Sequence, residues 1–495
     1  MKKKSGMPPL SLLTIAAMFP DDTELSLVDM NVEPLTPDHL AWADAAFFTA
    51  MGVQKTSLQQ VLKRAKAAGK KTVLGGPYAT SYFDLLMIRE EWPVDHYVVG
   101  EAEGIFPDFF RTFRGGCAAK VWQATNFPDI ITSPVPRFDL VNLANYAYIP
   151  VQYSRGCPFQ CEFCDIIKLN GRVPRTKDPH QLLRELDYLL ACGWKGPVFL
   201  VDDNFIGNQR SVGEFLLHLS KWQKEHGFPF LFSTEASINL AKLPRLMELM
   251  REAGFYMVFV GIETPSPAAL ERTKKFQNLN RHSASKFLLE SVRTIQTHFE
   301  VMGGFIAGLD GEGPESFAAI TEFAQQAGIP QAMSGLLTAY RNTDLYDRLK
   351  AEGRLRGESD GDNVGRSLNF DPELDEGTLL RGYRSILDRL YGQNLRPYYE
   401  RCLTLMRNSP PPRSRRKGST FRVLADIGAF LRSARALYGR EYFRFLLQVL
   451  REFPRRFPYA ARLAALGYHF QKVASGVVAD LDARLQELSK NNHGR

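Results

Sequence analysis

Cys157, Cys161 and Cys164 fall within eight residues, in the run Ser154-Arg-Gly-Cys157-Pro-Phe-Gln-Cys161-Glu-Phe-Cys164-Asp165. The chain has 495 residues and six cysteines, too few for a disulfide scaffold, and the clustering of half of them points to metal in a reducing compartment. Three thiolates can hold three irons of a cubane cluster and leave the fourth iron open to an exchangeable ligand. A structural zinc site uses four ligands, often as two separated pairs, and no histidine or fourth cysteine stands near enough in sequence to complete one. Cys117, Cys192 and Cys402 are isolated and read as core or near-surface thiols, since a free cysteine packs like a small hydrophobe.

A cluster loop needs a framework, and the hydrophobic pattern supplies one. Directly before the cysteines the run Pro150–Tyr153 reads as a strand, the first of six. The others are Pro197–Val201, Phe230–Thr234, Tyr256–Val260, Val301–Ile306 and Gly335–Ala339. Helices fall between them near Pro179–Ala191, Val212–Lys224, Lys242–Arg251, Ser283–Thr297 and Pro314–Gln326. Strand followed by helix, six times and with no hairpin signal, predicts a partial (β/α)6 barrel over residues 149–340, with chemistry at the carboxyl ends of its strands. Asp202, Asp203 and Asn204 close one apolar strand, so at least one of them faces the active cavity. Arg155 beside the cluster either balances thiolate charge or pairs with a surface acid.

Residues 1–115 show an earlier alternating series. Strands are expected at Leu25–Asp29, Ala45–Ala50, Lys71–Leu74 and His96–Val99, and helices near Leu10–Met18, Ser57–Ala68 and Thr80–Arg89, which argues for an open, doubly wound α/β sheet. Asp29, Asn31, Gly52, Gly75, Gly76, Gly100 and Glu101 follow strand ends, where ligands bind such sheets. Residues 116–148, with Pro128, Pro134 and Pro136, read as a linker. From Arg341 the alternation stops, and 341–495 is read as a mostly helical, basic domain with helices at Glu376–Tyr391, Phe421–Tyr438, Arg440–Phe453 and Tyr459–Asn491. Glu352–Asp362 and Asn408–Ser419 read as loops.

The formal charge of +8 is uneven: between Arg396 and Phe470 sixteen Lys/Arg face Glu400, Asp426, Glu441 and Glu452. A basic region on an otherwise mildly acidic chain suggests an anionic partner such as a membrane surface, nucleic acid or a phosphorylated substrate. The apolar stretch Pro9–Phe19 is short and runs into Asp21 and Asp22, so it does not read as a signal peptide, and no run reaches the ~18 apolar residues of a membrane span. A cytoplasmic protein is expected.

The cysteine spacing, with Phe163 immediately before the third cysteine, resembles the radical S-adenosylmethionine (SAM) superfamily. The resemblance implies SAM chelating the open iron of a 4Fe–4S cluster, an external electron donor, and reductive cleavage to methionine and a hydrogen-abstracting 5′-deoxyadenosyl radical. Val198-Phe-Leu-Val-Asp-Asp-Asn-Phe205 looks like the strand that approaches the SAM amino group. Ser233-Thr-Glu-Ala236 and Gly261-Ile-Glu-Thr-Pro265 look like the next two strand ends, placing Glu235 and Glu263 where carboxylates bind a ribose hydroxyl, the methionyl ammonium or substrate, or else cap a barrel loop. Gly303-Gly-Phe-Ile-Ala-Gly308 looks like the segment beside the adenine, so Gly303 and Gly304 join the expected SAM site.

The domain order adds to this. Val28-Asp-Met-Asn31, Gly75-Gly-Pro-Tyr-Ala-Thr80 and Val99-Gly-Glu-Ala-Glu103 look like the first domain of the cobalamin-binding radical SAM subclass, and the tail resembles that of the hopanoid C-2 methylase group. The resemblance implies a methyltransferase in which one SAM remethylates cobalamin and a second starts the radical that methylates an unactivated carbon. No Asp-x-His-x-x-Gly motif is present, so no histidine is expected on cobalt. In that subclass a strand precedes the Pro-Pro-Leu helix, whereas here Met1 lies seven residues before Pro8: either the start is misassigned or the domain is short of a strand, which would weaken cobalamin binding.

The expected substrate is lipid-like or polycyclic, similar to a hopanoid. The segment Arg440–Arg456 mixes large apolar residues with arginines; it either packs on the barrel with its arginines solvated or lies peripherally at an anionic membrane. Competing readings are a radical SAM cyclase or rearrangement enzyme acting on a tetrapyrrole-like substrate, and an RNA-modifying or RNA-binding iron–sulfur protein. Nucleic acid is disfavoured by the lack of a second cysteine cluster and of an RNA-recognition motif.

Overall fold

The computed structural model describes residues 3–88, 92–280, 283–362, 368–392, 394–409 and 439–493. The chain divides into two compact units. One holds Met1–Glu235 with Ala339–Arg348 and Glu358–Asp362; the other holds Ala236–Thr338, Leu349–Gly357 and Asn363–Arg495.

The first unit opens with α1 (Leu10–Ala16) and α2 (Pro37–Trp42), the latter started by a reciprocal cap in which Thr36 and His39 serve each other's backbone N–H groups. Then β1 (Ala45–Thr49), α3 (Lys55–Ala67), β2 (Lys71–Gly75), α4 (Gly76–Ser81), α5 (Phe83–Ile88), β3 (His96–Val99), α6 (Phe106–Arg114) and β4 (Val121–Gln123) alternate. The strands form a parallel sheet in the order β1-β2-β3-β4. Neighbouring residues point to opposite faces. Leu74 and Tyr97 pack with Leu58, Leu62 and Tyr78 on one side, while Val73 and Val98 pack with Phe106, Phe109 and Phe110 on the other. Both faces are covered, as in a doubly wound sheet.

Two expectations fail here. Leu25–Asp29 forms no ladder and is not a strand. Its apolar residues favour extension, but a strand exists only against a partner. β1 therefore stays at one edge of the sheet, with all five of its residues only half-buried. A cavity of about 1010 Å³ is lined by Glu24–Asn31, by β1 and by side chains of α1, α3 and α6. Conversely, β4 lies inside the segment read as a linker, three residues being too short to show a period.

The first unit continues with β5 (Ile149–Val151), β6 (Ser154–Arg155), α7 (Ile166–Leu169), β7 (Arg175–Thr176), α8 (Pro179–Ala191), β8 (Pro197–Leu200), α9 (Gln209–Glu225) and β9 (Leu231–Glu235). β5, β8 and β9 are parallel in that order, with Val151 opposite Leu200 and Leu200 opposite Thr234. β6 and β7 pair antiparallel. The sequence shows no hairpin because each strand has two residues.

In the second unit α10 (Pro244–Glu252), β10 (Phe255–Glu263), α11 (Pro267–Arg272), α12 (Ala284–Gln296), β11 (Glu300–Ala307), α13 (Ser316–Ala327) and β12 (Ala332–Leu336) supply the remaining three strands, again parallel. After α14 (Asp344–Ala351) come α15 (Glu376–Tyr391), α16 (Arg396–Asn408), α17 (Arg440–Glu452) and α18 (Phe457–His493). α15 docks on β12: the Tyr383 hydroxyl donates to the Ser334 carbonyl, and the Tyr391 hydroxyl accepts from the Ala332 N–H. The buried Arg401 of α16 donates to the carbonyls of Ile329 and Leu390. α14 and α16 fall in the region read as mostly helical, although the sequence set no bounds for them. The expected helix Phe421–Tyr438, and the expected loop Asn408–Ser419 beyond residue 409, lie outside the described residues.

Candidate active site

The cysteine loop leaves the carboxyl end of β5 and is fixed by the end of β8. Asp202 Oδ1 accepts the Tyr153 N–H at 2.8 Å, and its Oδ2 accepts the Ser154 N–H at 2.7 Å and the Ser154 hydroxyl at 2.6 Å. Asp203 Oδ2 accepts the Gly156 N–H at 2.8 Å and Asn170 Nδ2 at 3.0 Å. Burial pushes the Asp202 carboxyl up to about 7 against the pull of its donors, and it also raises Asp203. Both carboxylates read from sequence as SAM contacts are therefore already engaged in anchoring the loop. Ser154 and Asn170, which share that work, were not singled out. Asn204 is buried beside them, and Glu235 ends β9 half-buried.

Gly156 has φ of 100°, and a Cβ there would sit 3.0–3.1 Å from the carbonyl oxygens of Asn170, Gly171 and Val173. Only glycine allows the chain to turn this close to another backbone. Cys157 then donates its N–H to Gly171, and Cys164 donates its own to Cys161. Cys161 is buried, and Cys157 and Cys164 are half-buried beside Phe163. Burial raises the neighbouring Asp165 carboxyl.

Arg155 pairs with acids, but with buried ones rather than the surface acid expected. Its guanidinium meets Glu101 and Glu103, each at 2.7 Å, and Arg175 from β7 binds Glu101 and the carbonyls of Pro128 and Asn170. All four side chains are mostly buried. A second link was not read from sequence: the buried Glu162, inside the cysteine run, pairs with Arg348 at 2.7 Å. Partners so distant in sequence carry no local pattern.

At the carboxyl ends of β2 and β3, Gly76 and Gly100 take φ of 83° and 87°. Thr80 ties them, donating to the Gly76 carbonyl at 2.9 Å and accepting the Gly100 N–H at 3.0 Å. Gly75 packs on Val98, and Gly52 lies under Gly361, 3.3 Å from where its Cβ would stand. Asp29 is buried, accepting from Asn31 and from the Tyr146 hydroxyl. Thr49 Oγ1 and Tyr82 Oη are buried here with no hydrogen-bond partner.

In the second unit Glu263 closes β10 with φ of 63°, next to a register shift, and pairs with Lys275 at 2.6 Å. Gly261 leaves room for that pair, since its Cβ would fall 2.4 Å from Glu263 Oε1. Gly303 and Gly304 lie opposite Val260 and Gly261 on β11, and the Phe259 ring occupies the space above Gly304.

These residues suit the groups expected of them. Among the described residues no three His, Cys, Asp or Glu side chains converge as ligands of one ion do. The thiolates of a cubane bind separate irons and need no common point. The orphaned hydroxyls of Thr49 and Tyr82 suit a bound polar group at the loop end of the first sheet, because a buried unpaired hydroxyl costs about 1–3 kcal/mol.

Residues 151–324 match the radical SAM superfamily, and 343–483 match a domain of unknown function, DUF4070. An uncharacterized methyltransferase of Synechocystis sp. is 46% identical over 372 residues, covering 75% of this chain and 68% of that protein. The hopanoid C-2 methylase of Rhodopseudomonas palustris is 38% identical over 392 residues, covering 78% and 71%. Among solved structures, OxsB with aqua-cobalamin and SAM bound is 13% identical with a TM-score of 0.60, covering 99% of this chain and 78% of that one. TsrM from Kitasatospora setae with cobalamin and a 4Fe–4S cluster is 12% identical with a TM-score of 0.59, covering 94% and 100%. At these identities the structures establish a shared fold.

Proposed function

The chain belongs to the radical SAM superfamily, in the group of the hopanoid C-2 methylase, and we propose from that footing that it is a cobalamin-dependent C-methyltransferase acting on a hopanoid-like polycyclic lipid. The observation that carries the reading is the pairing of an anchored three-thiol loop with 38% identity to a methylase of such a lipid. The cofactors, when bound, supply a carbon-centred radical and a methyl donor, which together reach carbons that polar chemistry cannot. Cys157, Cys161 and Cys164 would hold the cluster, with Asp202 and Asp203 keeping the loop in place. Glu235, Asn204, Glu263, Gly303 and Gly304 are the proposed surroundings of SAM. The loops at Gly52, Gly75–Gly76 and Gly100, with the hydroxyls of Thr49 and Tyr82, would receive cobalamin. Electrons come from an external donor, and the lipid is met at the inner face of a membrane that the protein touches peripherally.

The test is anaerobic reconstitution with iron, sulfide and hydroxocobalamin, followed by reaction with methyl-labelled SAM, reductant and a hopanoid. Label in the lipid, with both 5′-deoxyadenosine and S-adenosylhomocysteine formed, is expected, and the Cys157→Ala/Cys161→Ala/Cys164→Ala variant should form neither. Deoxyadenosine without homocysteine product or bound cobalamin would overturn the methyl-transfer reading.

A further inference from the structure

α17 carries two apolar stripes. Tyr442, Phe445, Leu446 and Val449 are buried, with the Phe445 ring stacked on Tyr399 at 4.7 Å. Phe443, Leu447 and Leu450 are exposed by 46%, 67% and 50%. A helix that only packs on its own domain needs the first stripe and keeps polar residues elsewhere. The second stripe leaves three large side chains about half exposed or more, the Phe443 ring lying edge-on to Tyr442 at 5.6 Å.

What lies beside the stripe identifies its occupant. At ~100° per residue, Phe443, Leu447 and Leu450 form one narrow band, and Arg440, Arg444 and Arg451 form the next band around the helix. All three arginines are exposed, and Arg455 is exposed just past the helix end. The two acids lie beyond the arginines and are paired with basic partners: Glu452 with Arg407 at 3.0 Å and Glu441 with Arg444 at 4.0 Å. Passing around the helix, protein core gives way to exposed apolar side chains, then to guanidinium groups, then to neutralised acids. That gradient matches a lipid surface, where apolar side chains enter the acyl boundary and guanidinium groups meet phosphates one layer higher. Charge favours an anionic surface, each Lys or Arg adding about 1 kcal/mol there, and residues 396–470 hold sixteen such residues against four acids. Among the described residues no helix is long and apolar enough to cross a membrane, so α17 would lie in the plane of the interface.

We propose that the Phe443–Leu447–Leu450 stripe with its arginine border is a docking face for anionic lipid bilayers. It deepens the reading above and rests on it only for its purpose, bringing the enzyme to a substrate dissolved in the membrane. The experiment is co-sedimentation of the full-length, reconstituted protein with vesicles of phosphatidylglycerol and phosphatidylcholine, compared with phosphatidylcholine alone. Binding to the anionic vesicles is expected to be at least tenfold tighter and to weaken in 0.5 M salt. Phe443→Ser/Leu447→Ser/Leu450→Ser should lose at least tenfold while keeping its circular dichroism and cluster content, because the replaced side chains already face solvent. Arg440→Gln/Arg451→Gln should lose the preference for anionic lipid. Unchanged sedimentation of the serine variant would overturn the proposal. So would a dimer of the parent protein that the same variant converts to monomer without any vesicle binding. Vesicle binding by an enzyme that methylates no lipid would leave this face standing and remove the substrate reading instead.

Discussion

Arg175 and Glu101 form a forked ion pair across 74 residues of sequence: Nη1 meets Oε2 at 3.0 Å while Nη2 meets Oε1. The pair joins the loop after β3 to the β6–β7 hairpin that brackets the cysteines, and Arg155 adds a second guanidinium to the same carboxylate. A glutamate read from sequence as a cobalamin contact thus has both oxygens committed to arginines.

Glu101→Gln is expected to be more damaging than Glu103→Gln, because Glu101 takes three guanidinium contacts from two arginines while Glu103 takes one from Arg155. Removing one member of a mostly buried charge cluster costs about 3–5 kcal/mol, since the other charges stay behind. Denaturant unfolding of the two apo variants measures the difference, and the electron paramagnetic resonance spectrum of the reduced cluster reports whether the hairpin moves. Equal costs would mean that the network does not centre on Glu101.

Gly156→Ala should cost more than Gly193→Ala. Both glycines have positive φ, 100° and 87°, but an alanine Cβ at 156 meets three carbonyl oxygens and at 193 meets nothing within 4 Å. The backbone term alone is about 1–3 kcal/mol. At Gly156 the crowding adds to it and displaces the residue preceding Cys157. Iron bound per chain after reconstitution should fall for the first variant and stay at the parental level for the second.

The cysteine loop and the strand–helix alternation were legible because both are local: three thiols in eight residues, and apolar runs such as Val198–Val201 ending in Asp202. What Asp202 and Asp203 touch was not legible, because a strand-end carboxylate in sequence looks the same whether it faces a ligand or the backbone of a neighbouring loop. Leu25–Asp29 misled for a related reason. Its composition shows a preference for extension but says nothing about whether a neighbour offers a ladder. Arg155 needed Glu101 and Glu103, 54 and 52 residues away, before its role could be chosen.

Asp202 should make the first unit less stable as pH rises. Its carboxyl sits at about 7 in the fold against ~3.9 when unfolded, so between these values the folded state binds more protons. Its contribution is then fully present below ~4 and is lost as pH rises through 7. From pH 5 to pH 8 the loss is roughly 3 kcal/mol at most, at 1.36 kcal/mol per unit. Asp202→Asn has nothing to titrate, so comparing the denaturant midpoints of the two apo proteins at these two pH values isolates the slope. A parental slope no steeper than that of the variant would show that the donors from Tyr153 and Ser154 hold Asp202 ionised throughout.

Glu263→Gly tests whether strain at the end of β10 is kept for function. A non-glycine residue at φ of 63° costs on the order of 1 kcal/mol relative to glycine. The Lys275 pair returns part of that, and both side chains are mostly buried. Replacement by glycine relieves the backbone but leaves the Lys275 ammonium without this carboxylate, so the net change in stability should be small, within about 1 kcal/mol. Binding of SAM to the reconstituted protein should fall by tenfold or more if the carboxylate serves the ligand, as proposed. Lys275→Met supplies the second comparison, since it removes the ion pair but keeps the carboxylate and the strained backbone. If both variants bind SAM as tightly as the parent, Glu263 does no more than cap a barrel loop. If only Glu263→Gly weakens binding, the carboxylate itself is the contact, and the unfavourable φ is retained because it aims that carboxylate.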